Sequence, residues 1–211
     1  MSIADIRKDY QLKSLSEHEV DQNPFAQFSV WWNEAVQSDI IEVNAMALST
    51  VTSTGKPSSR IVLLKGYDEQ GFVFFTNYSS DKGQQLTQNH FAALLFFWKE
   101  LERQVRIEGV VSKVSEEESD AYFNSRPVGS RLGAWASPQS QKISDREVLN
   151  NELMKFTEQF DQENIPRPAH WGGYRVKPTR IEFWQGRSNR LHDRILYEQD
   201  NDNWQISRLA P

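Results

Sequence analysis

Residues 23–37, NPFAQFSVWWNEAVQ, place Phe25, Phe28, Trp32 and Ala35 at helical spacing behind Asn23, a good N-cap, and Pro24 at the first helical position. An amphipathic helix is predicted there. From about residue 45 to 114 the pattern changes to short β-rich runs broken by turn signals. MALSTV, SRIVLLKG, FVFFT, FAALLFFW and RQVRIEGVVSKV are β-rich runs separated by TGKP, DEQG, a polar insert and KE. Two more helices are predicted where serine precedes glutamate by three residues, Ser115 with Glu118 and Ser144 with Glu147. The second carries Leu149, Leu153, Phe156 and Phe160 on one stripe. Strands return in WGGYRV, RIEFWQ, RLHDRILYE and WQISRLA, the last two joined by QDNDN. The pattern predicts a mainly β protein with peripheral helices, its antiparallel hairpins closing into a barrel. One domain is expected over residues 1–211, with a helical segment over about 1–40 and a C-terminal strand region over about 171–211.

Composition narrows the chemistry. The chain has no cysteine, so disulfides and thiolate catalysis are absent; a reducing compartment fits, and cytosol is the expected location. No run approaches the ~20 apolar residues of a membrane span. A net charge of −5 argues against a nucleic-acid binder, so any anion site must be local. There is no G-x-G-x-x-G, no phosphate-binding G-x-x-x-x-G-K-[ST] and no G-x-S-x-G elbow. His18, His90, His170 and His192 lack metal-ligand spacing, and no metal is predicted.

What remains is a scatter of cations in apolar strands. In RIVLLK, alternation sends Arg60 and Lys65 to opposite faces; an edge strand with charged ends fits equally well. In ERQVRIEG, Glu102, Gln104, Arg106 and Glu108 share a face against Val105 and Ile107. In GRSNRLHDR, residues 186–194, the same parity aligns Arg190, His192 and Arg194, which like-charge repulsion disfavours unless an anion or a carboxylate lies between them. YFNSRPVGSRLGAW offers a phenol, a hydroxyl and two guanidiniums, Arg126 and Arg131, around a proline and two glycines, donors suited to phosphate oxygens, although a turn with exposed charges fits that segment too.

RIVLLKGYD, FFTNYSSDKGQQL, FFWKELERQVRIEG, YFNSRPVGSRLGAWASPQSQKIS, WGGYRV, IEFWQG and RLHDRILYEQDNDNWQISRLAP follow one another in an order that resembles the pyridoxine/pyridoxamine 5′-phosphate oxidase family across essentially the whole chain. The resemblance implies an FMN-binding split β-barrel, antiparallel and Greek-key-like, working as a homodimer with flavin sites at the subunit interface. It implies oxidation of pyridoxine or pyridoxamine 5′-phosphate to pyridoxal 5′-phosphate, with O2 as acceptor and hydrogen peroxide released. For FMN it implies Arg60, Ile61, Val62, Leu63, Leu64, Lys65, Phe75, Thr76, Asp81, Lys82, Gln104, Gln139, Ser140, Trp184 and Arg194. For substrate it implies Lys65, Tyr122, Arg126 and Ser130 at the phosphate and Arg190 and His192 at the pyridine ring, with Arg7 and Tyr10 of RKDY approaching it. Phe75 stands where the family often has tyrosine, and Asp81 where relatives often carry a cation.

The implied reaction is hydride transfer from C4′ to flavin N5, with Arg190 and His192 as catalytic residues; histidine has the more suitable ordinary pKa for taking a hydroxyl proton. Three other functions remain open at this point: a related split-barrel flavin oxidoreductase, either a phenazine-type oxidase or a flavin reductase; a non-catalytic carrier of FMN or pyridoxal phosphate; and an oligonucleotide-binding barrel. The phosphate-donor set opposes the first, oxygen uptake separates enzyme from carrier, and acidity opposes the last.

Overall fold

Asn23 Oδ1 accepts from the Phe25 N–H at 2.8 Å and so starts helix α1, Pro24–Val36. The computed structural model describes residues 2–6 and 8–211. Phe25, Phe28, Trp31 and Ala35 form the buried stripe of α1; Trp31 takes the core position and Trp32 sits half-buried on its flank. The chain then forms β1 (Ala45–Val51) and β2 (Pro57–Leu63), joined by a turn in which Gly55 adopts φ +84°. β3 (Gly66–Asp68), β4 (Gly71–Asn77), α2 (Asp81–Gln88), β5 (Phe91–Trp98) and β6 (Arg103–Lys113) follow. Next come α3 (Glu116–Ser125), α4 (Val128–Ala136), α5 (Glu147–Gln159), β7 (Trp171–Gln185), β8 (Asp193–Asp200) and β9 (Asn203–Arg208).

The nine strands of the described residues belong to one antiparallel sheet whose main path is β2-β1-β5-β6-β7-β4-β3. Its two ends are joined where β2 runs into β3: Leu64 N–H donates to Asn44 O and Lys65 N–H to Val73 O, both at 2.8 Å. The sheet thus curls into a barrel around Met46, Leu48, Phe74, Leu94, Phe96, Val105, Ile107 and Phe183. β7 is the long spine. Its first half pairs with β4, its second half with β8, and both halves with β6. A second apolar cluster, Phe123, Leu132, Ile165 and Trp171, lies under the helices.

Five sequence expectations change. The polar insert contains α2, which Ser80 caps by accepting from Gly83 N–H; α4 occupies the segment read as a turn, beginning after Pro127. WGGYRV and RIEFWQ are a single strand, with Pro178 placed beside a register shift at Glu108/Gly109, where its missing N–H is tolerated. Ser144 does not cap α5; Asp145 Oδ1 accepts from Val148 N–H, and on this exposed helix Phe156 and Phe160 reach Trp135 while Leu153 faces outward. The predicted strand RLHDRILYE starts only at Asp193, because Asn189 and Arg190 take left-handed φ of 56° and 61°.

Candidate active site

Three groups of polar residues stand out on this frame. The first lies between β2 and the N-terminus of α2. Arg60 donates to Thr50 Oγ1 at 2.6 Å, to Leu48 O at 3.2 Å, to Gln85 Oε1 at 3.3 Å and to Ser58 Oγ. Lys82, 8 % exposed, has no side-chain hydrogen bond or ion pair among the described residues. Burial holds both cations below their ordinary pKa, Arg60 presses Lys82 further down, and Asp81 partly opposes the effect on each. Two desolvated cations facing each other without an ion-paired carboxylate suit a doubly charged anion. Asp81 is the exposed first residue of α2, where an acid is favoured by the helix dipole.

The second group gathers at the start of β7. Phe75 stacks on Tyr122 at 4.1 Å and on Trp171 at 5.5 Å. Lys65 Nζ lies 5.7 Å from the Tyr122 ring centre, and the Arg126 guanidinium lies 4.6 Å over Trp171. Arg126, Ser130, Gln139, Asn77 and Trp171 line a cavity of about 260 Å³. Gln139 Oε1 accepts from Thr76 Oγ1 at 3.3 Å, and Ser140 follows in a left-handed conformation. Arg126 Nη1 is buried and has no hydrogen-bond partner among the described residues, and burial depresses the arginine pKa. A buried guanidinium N–H left unpaired costs energy that an incoming oxyanion would recover.

The third group sits at the other end of β7. Trp184 packs against His192 at 4.6 Å and edge-on to Tyr10 at 5.8 Å, and Gln104 pairs with Trp184 in the β6–β7 register. Tyr10, Arg187, Arg190 and His192 line a cavity of about 550 Å³. Arg7 lies outside the described residues. His192 Nδ1 accepts from Arg187 N–H at 3.1 Å, so the neutral ring carries its proton on Nε2. Burial and the Arg190 charge keep His192 below the ordinary histidine range.

The parity argument for RLHDR is corrected here. Arg190 and His192 precede the strand, whereas Arg194 is on it and makes a bidentate pair with Glu182 at 2.8 and 3.0 Å, its Nη1 donating to Ala210 O. The carboxylate that like charges required is therefore Glu182, which also pairs with Arg106 at 3.2 Å. Glu102 likewise leaves the face assigned to it: it is buried and precedes β6. The run from Arg60 to Lys65 is split by its own pleat. Arg60 and Val62 share one face, Ile61 and Leu63 the opposite one, and Leu64 enters the core. Ile61 is 67 % exposed.

With this geometry in place, comparison with known proteins is decisive. The pyridoxamine 5′-phosphate oxidase family profile matches residues 32–160. The chain belongs to that family. Residues 171–211 match the pyridoxine 5′-phosphate oxidase C-terminal dimerisation region. Pyridoxine/pyridoxamine 5′-phosphate oxidases from Nostoc punctiforme and Paraburkholderia phymatum are 60 % and 58 % identical over 211 residues, covering 100 % of this chain and 99 % of each relative. Among solved structures, PhzG from Burkholderia lata 383 in complex with tetrahydrophenazine-1-carboxylic acid is 32 % identical, with a TM-score of 0.89 over 95 % of this chain and 100 % of that one. A pyridoxamine 5′-phosphate oxidase-related, FMN binding protein from Nostoc punctiforme shares the fold at a TM-score of 0.72 and 17 % identity, covering 90 % and 98 % of the two chains. The split-barrel expectation is borne out. Among the described residues no helix is long and apolar enough to cross a membrane, and no cluster of three or more metal-ligating side chains occurs.

Sequence reasoning missed Thr50, Ser58 and Gln85 around Arg60, and Asn77 and Trp171 beside Arg126. A signal existed for the serine: alternation puts Ser58 and Arg60 on one face of β2. Gln85 depends on α2, which the sequence pattern did not reveal.

Proposed function

We propose that this member of the pyridoxamine 5′-phosphate oxidase family binds FMN and oxidises pyridoxine or pyridoxamine 5′-phosphate to pyridoxal 5′-phosphate, O2 being reduced to hydrogen peroxide. The carrying observation is the buried Arg126 Nη1, without a hydrogen-bond partner among the described residues, in a cavity shared with Ser130. A substrate phosphate supplies the missing acceptor. A phenazine-type acid, suggested by the likeness to PhzG, brings no phosphate for Lys65, Tyr122, Arg126 and Ser130 to hold.

Arg60 and Lys82, desolvated and without an ion-paired carboxylate, fit the flavin phosphate, and the family resemblance adds Thr76 and Gln139, which lie beside the Arg126 cavity, and Gln104, Trp184 and Arg194 at the other end of β7. Bound FMN supplies the hydride acceptor for hydrogen leaving C4′. The chain's own residues bind and orient. Lys65, Tyr122, Arg126 and Ser130 grip the substrate phosphate, and Arg190 and His192 border the ring. His192 presents an Nε2–H donor, so it orients a substrate oxygen; taking a proton there first requires moving the ring proton to Nδ1 and breaking the bond from Arg187 N–H.

Trp171 and Trp184 stand 13 residues apart on one strand, about 40 Å of contour at roughly 3.3 Å per residue. The phosphate-gripping and ring-bordering groups therefore lie at opposite ends of β7, and their cavities share no lining residue. Each complete site is proposed to take Arg60, Lys65, Thr76, Lys82, Tyr122, Arg126 and Ser130 from one subunit of a homodimer. The partner contributes Gln104, Trp184, Arg190, His192 and Arg194. The exposed Ile61 and Phe97, on the outer face of β2 and β5, are apolar surface suited to such an interface.

The test is direct: the purified protein should show a flavin spectrum that bleaches when pyridoxamine 5′-phosphate is added without oxygen. A colourless preparation that FMN cannot reconstitute would overturn the reading. Two smaller effects are expected. Asp81→Asn removes a negative charge beside Arg60 and Lys82 and should tighten FMN about threefold, read by flavin fluorescence quenching. The His192 imidazole should titrate below about 6.5 by NMR. Since its folded pKa is depressed, its contribution to stability is complete above about pH 6.5 and is lost as pH falls toward the folded value.

A further inference from the structure

Between β5 and β6 the chain reaches Glu102 in a left-handed conformation, φ +54°, with only 2 % of the residue exposed. Both features are costly for a glutamate: the backbone favours glycine, and a carboxylate out of water needs partners. Among the described residues the carboxylate's partners all come from the N-terminal segment. Oε2 accepts from Gln11 N–H at 2.8 Å and Leu12 N–H at 3.1 Å, and Oε1 pairs with Lys8 Nζ at 3.2 Å. The Glu102 carbonyl meanwhile accepts from Gly186 N–H at 2.7 Å and Gln185 Nε2 at 3.2 Å, where β7 gives way to the Arg190 turn.

One residue therefore ties two remote parts of the chain together, and Tyr10 lies between them. Its ring sits edge-on to Trp184, 6.1 Å from His192, and is pressed so closely on Gly186 that a Cβ there would fall 2.7 Å from Tyr10 Cγ. A second carboxylate, Asp193, accepts from Leu15 N–H at 3.0 Å farther along the same segment.

We propose that Glu102 is a positioning residue: its carboxylate straps residues 8–12 across the ring-bordering cavity and so sets Tyr10 as one wall of the substrate site. Glu102 touches no substrate; it acts through Tyr10. This rests on the oxidase reading of that cavity.

The experiment is a double-mutant cycle on the holoenzyme. Glu102→Gly removes the carboxylate while relieving the left-handed backbone, and Tyr10→Ala removes the wall. Each should raise KM for pyridoxamine 5′-phosphate about tenfold with kcat changed less than about twofold, and the double variant should be no worse than about tenfold. Glu102→Gln keeps an acceptor oxygen for the two N–H groups and should stay within about threefold of wild type. Trypsin should cut after Lys8 or Lys13 faster in Glu102→Gly than in wild type. Independent effects that multiply in the double variant, an unchanged KM, or unchanged cleavage would each overturn the proposal. Wild-type protein that does not oxidise pyridoxamine 5′-phosphate would defeat the oxidase reading alone, because the cleavage comparison still decides whether Glu102 holds the strap.

Discussion

Subunits carrying Arg126→Ala and subunits carrying Arg190→Ala, each nearly inactive alone, should recover about a quarter of wild-type activity when dissociated together and reassociated. The figure follows from symmetry. Random pairing makes half the dimers mixed, and each mixed dimer has one site with both arginines intact and one with neither. Each variant alone should lose roughly a hundredfold in kcat/KM, since a charge-assisted hydrogen bond contributes about 1.5–3 kcal/mol and Arg126 is buried. If both ends of β7 served one site within a single subunit, mixing would restore nothing. Activity that stays at the level of the parents would therefore sink the composite site while leaving the fold untouched.

Arg60→Met should strip the protein of its flavin. The side chain reaches four acceptors from β1, β2 and α2, so it is fixed in place before any ligand arrives. Losing two charge-assisted bonds at about 1.5–3 kcal/mol each weakens FMN by roughly 10²–10⁴-fold. Dialysed variant should be colourless and should regain spectrum and activity only at high added FMN. Retention of flavin through dialysis would move the phosphate site elsewhere. Lys82→Met should behave similarly but more mildly, because an ammonium is a point charge without the guanidinium's fork.

The barrel was legible from its short β-rich runs and the turn signals between them: β1, β4, β5 and β6 fall where those runs lie, and α1 starts at the cap and proline that announced it. What escaped were elements whose signal is tertiary. α2 is mostly polar, with a stripe of only Lys82, Gly83 and Leu86 against the barrel, too little to show as periodicity. α4 follows a proline and carries two glycines, and its helical state depends on Leu132 and Ala136 finding the second core. Arg126, Ser130 and Lys65 were named from the resemblance, but not the reason they belong together. Phe75, Tyr122 and Trp171 form a single stack that brings the ends of three distant segments to one place. Parity failed at Arg190 because two left-handed residues in succession break the extended backbone on which parity depends.

The register shift at Glu108/Gly109 has a thermal corollary. A Cβ on Gly109 would fall 2.1 Å from Lys177 O, so the sheet stays tightly joined at the point where β7 exchanges β4 for β8 as its neighbour. Trp171 and Trp184 are thus carried by one uninterrupted ribbon, and heating cannot melt the surroundings of one while sparing the other. Calorimetry of the apoprotein should record a single endotherm, with tryptophan emission and far-ultraviolet dichroism changing at the same temperature.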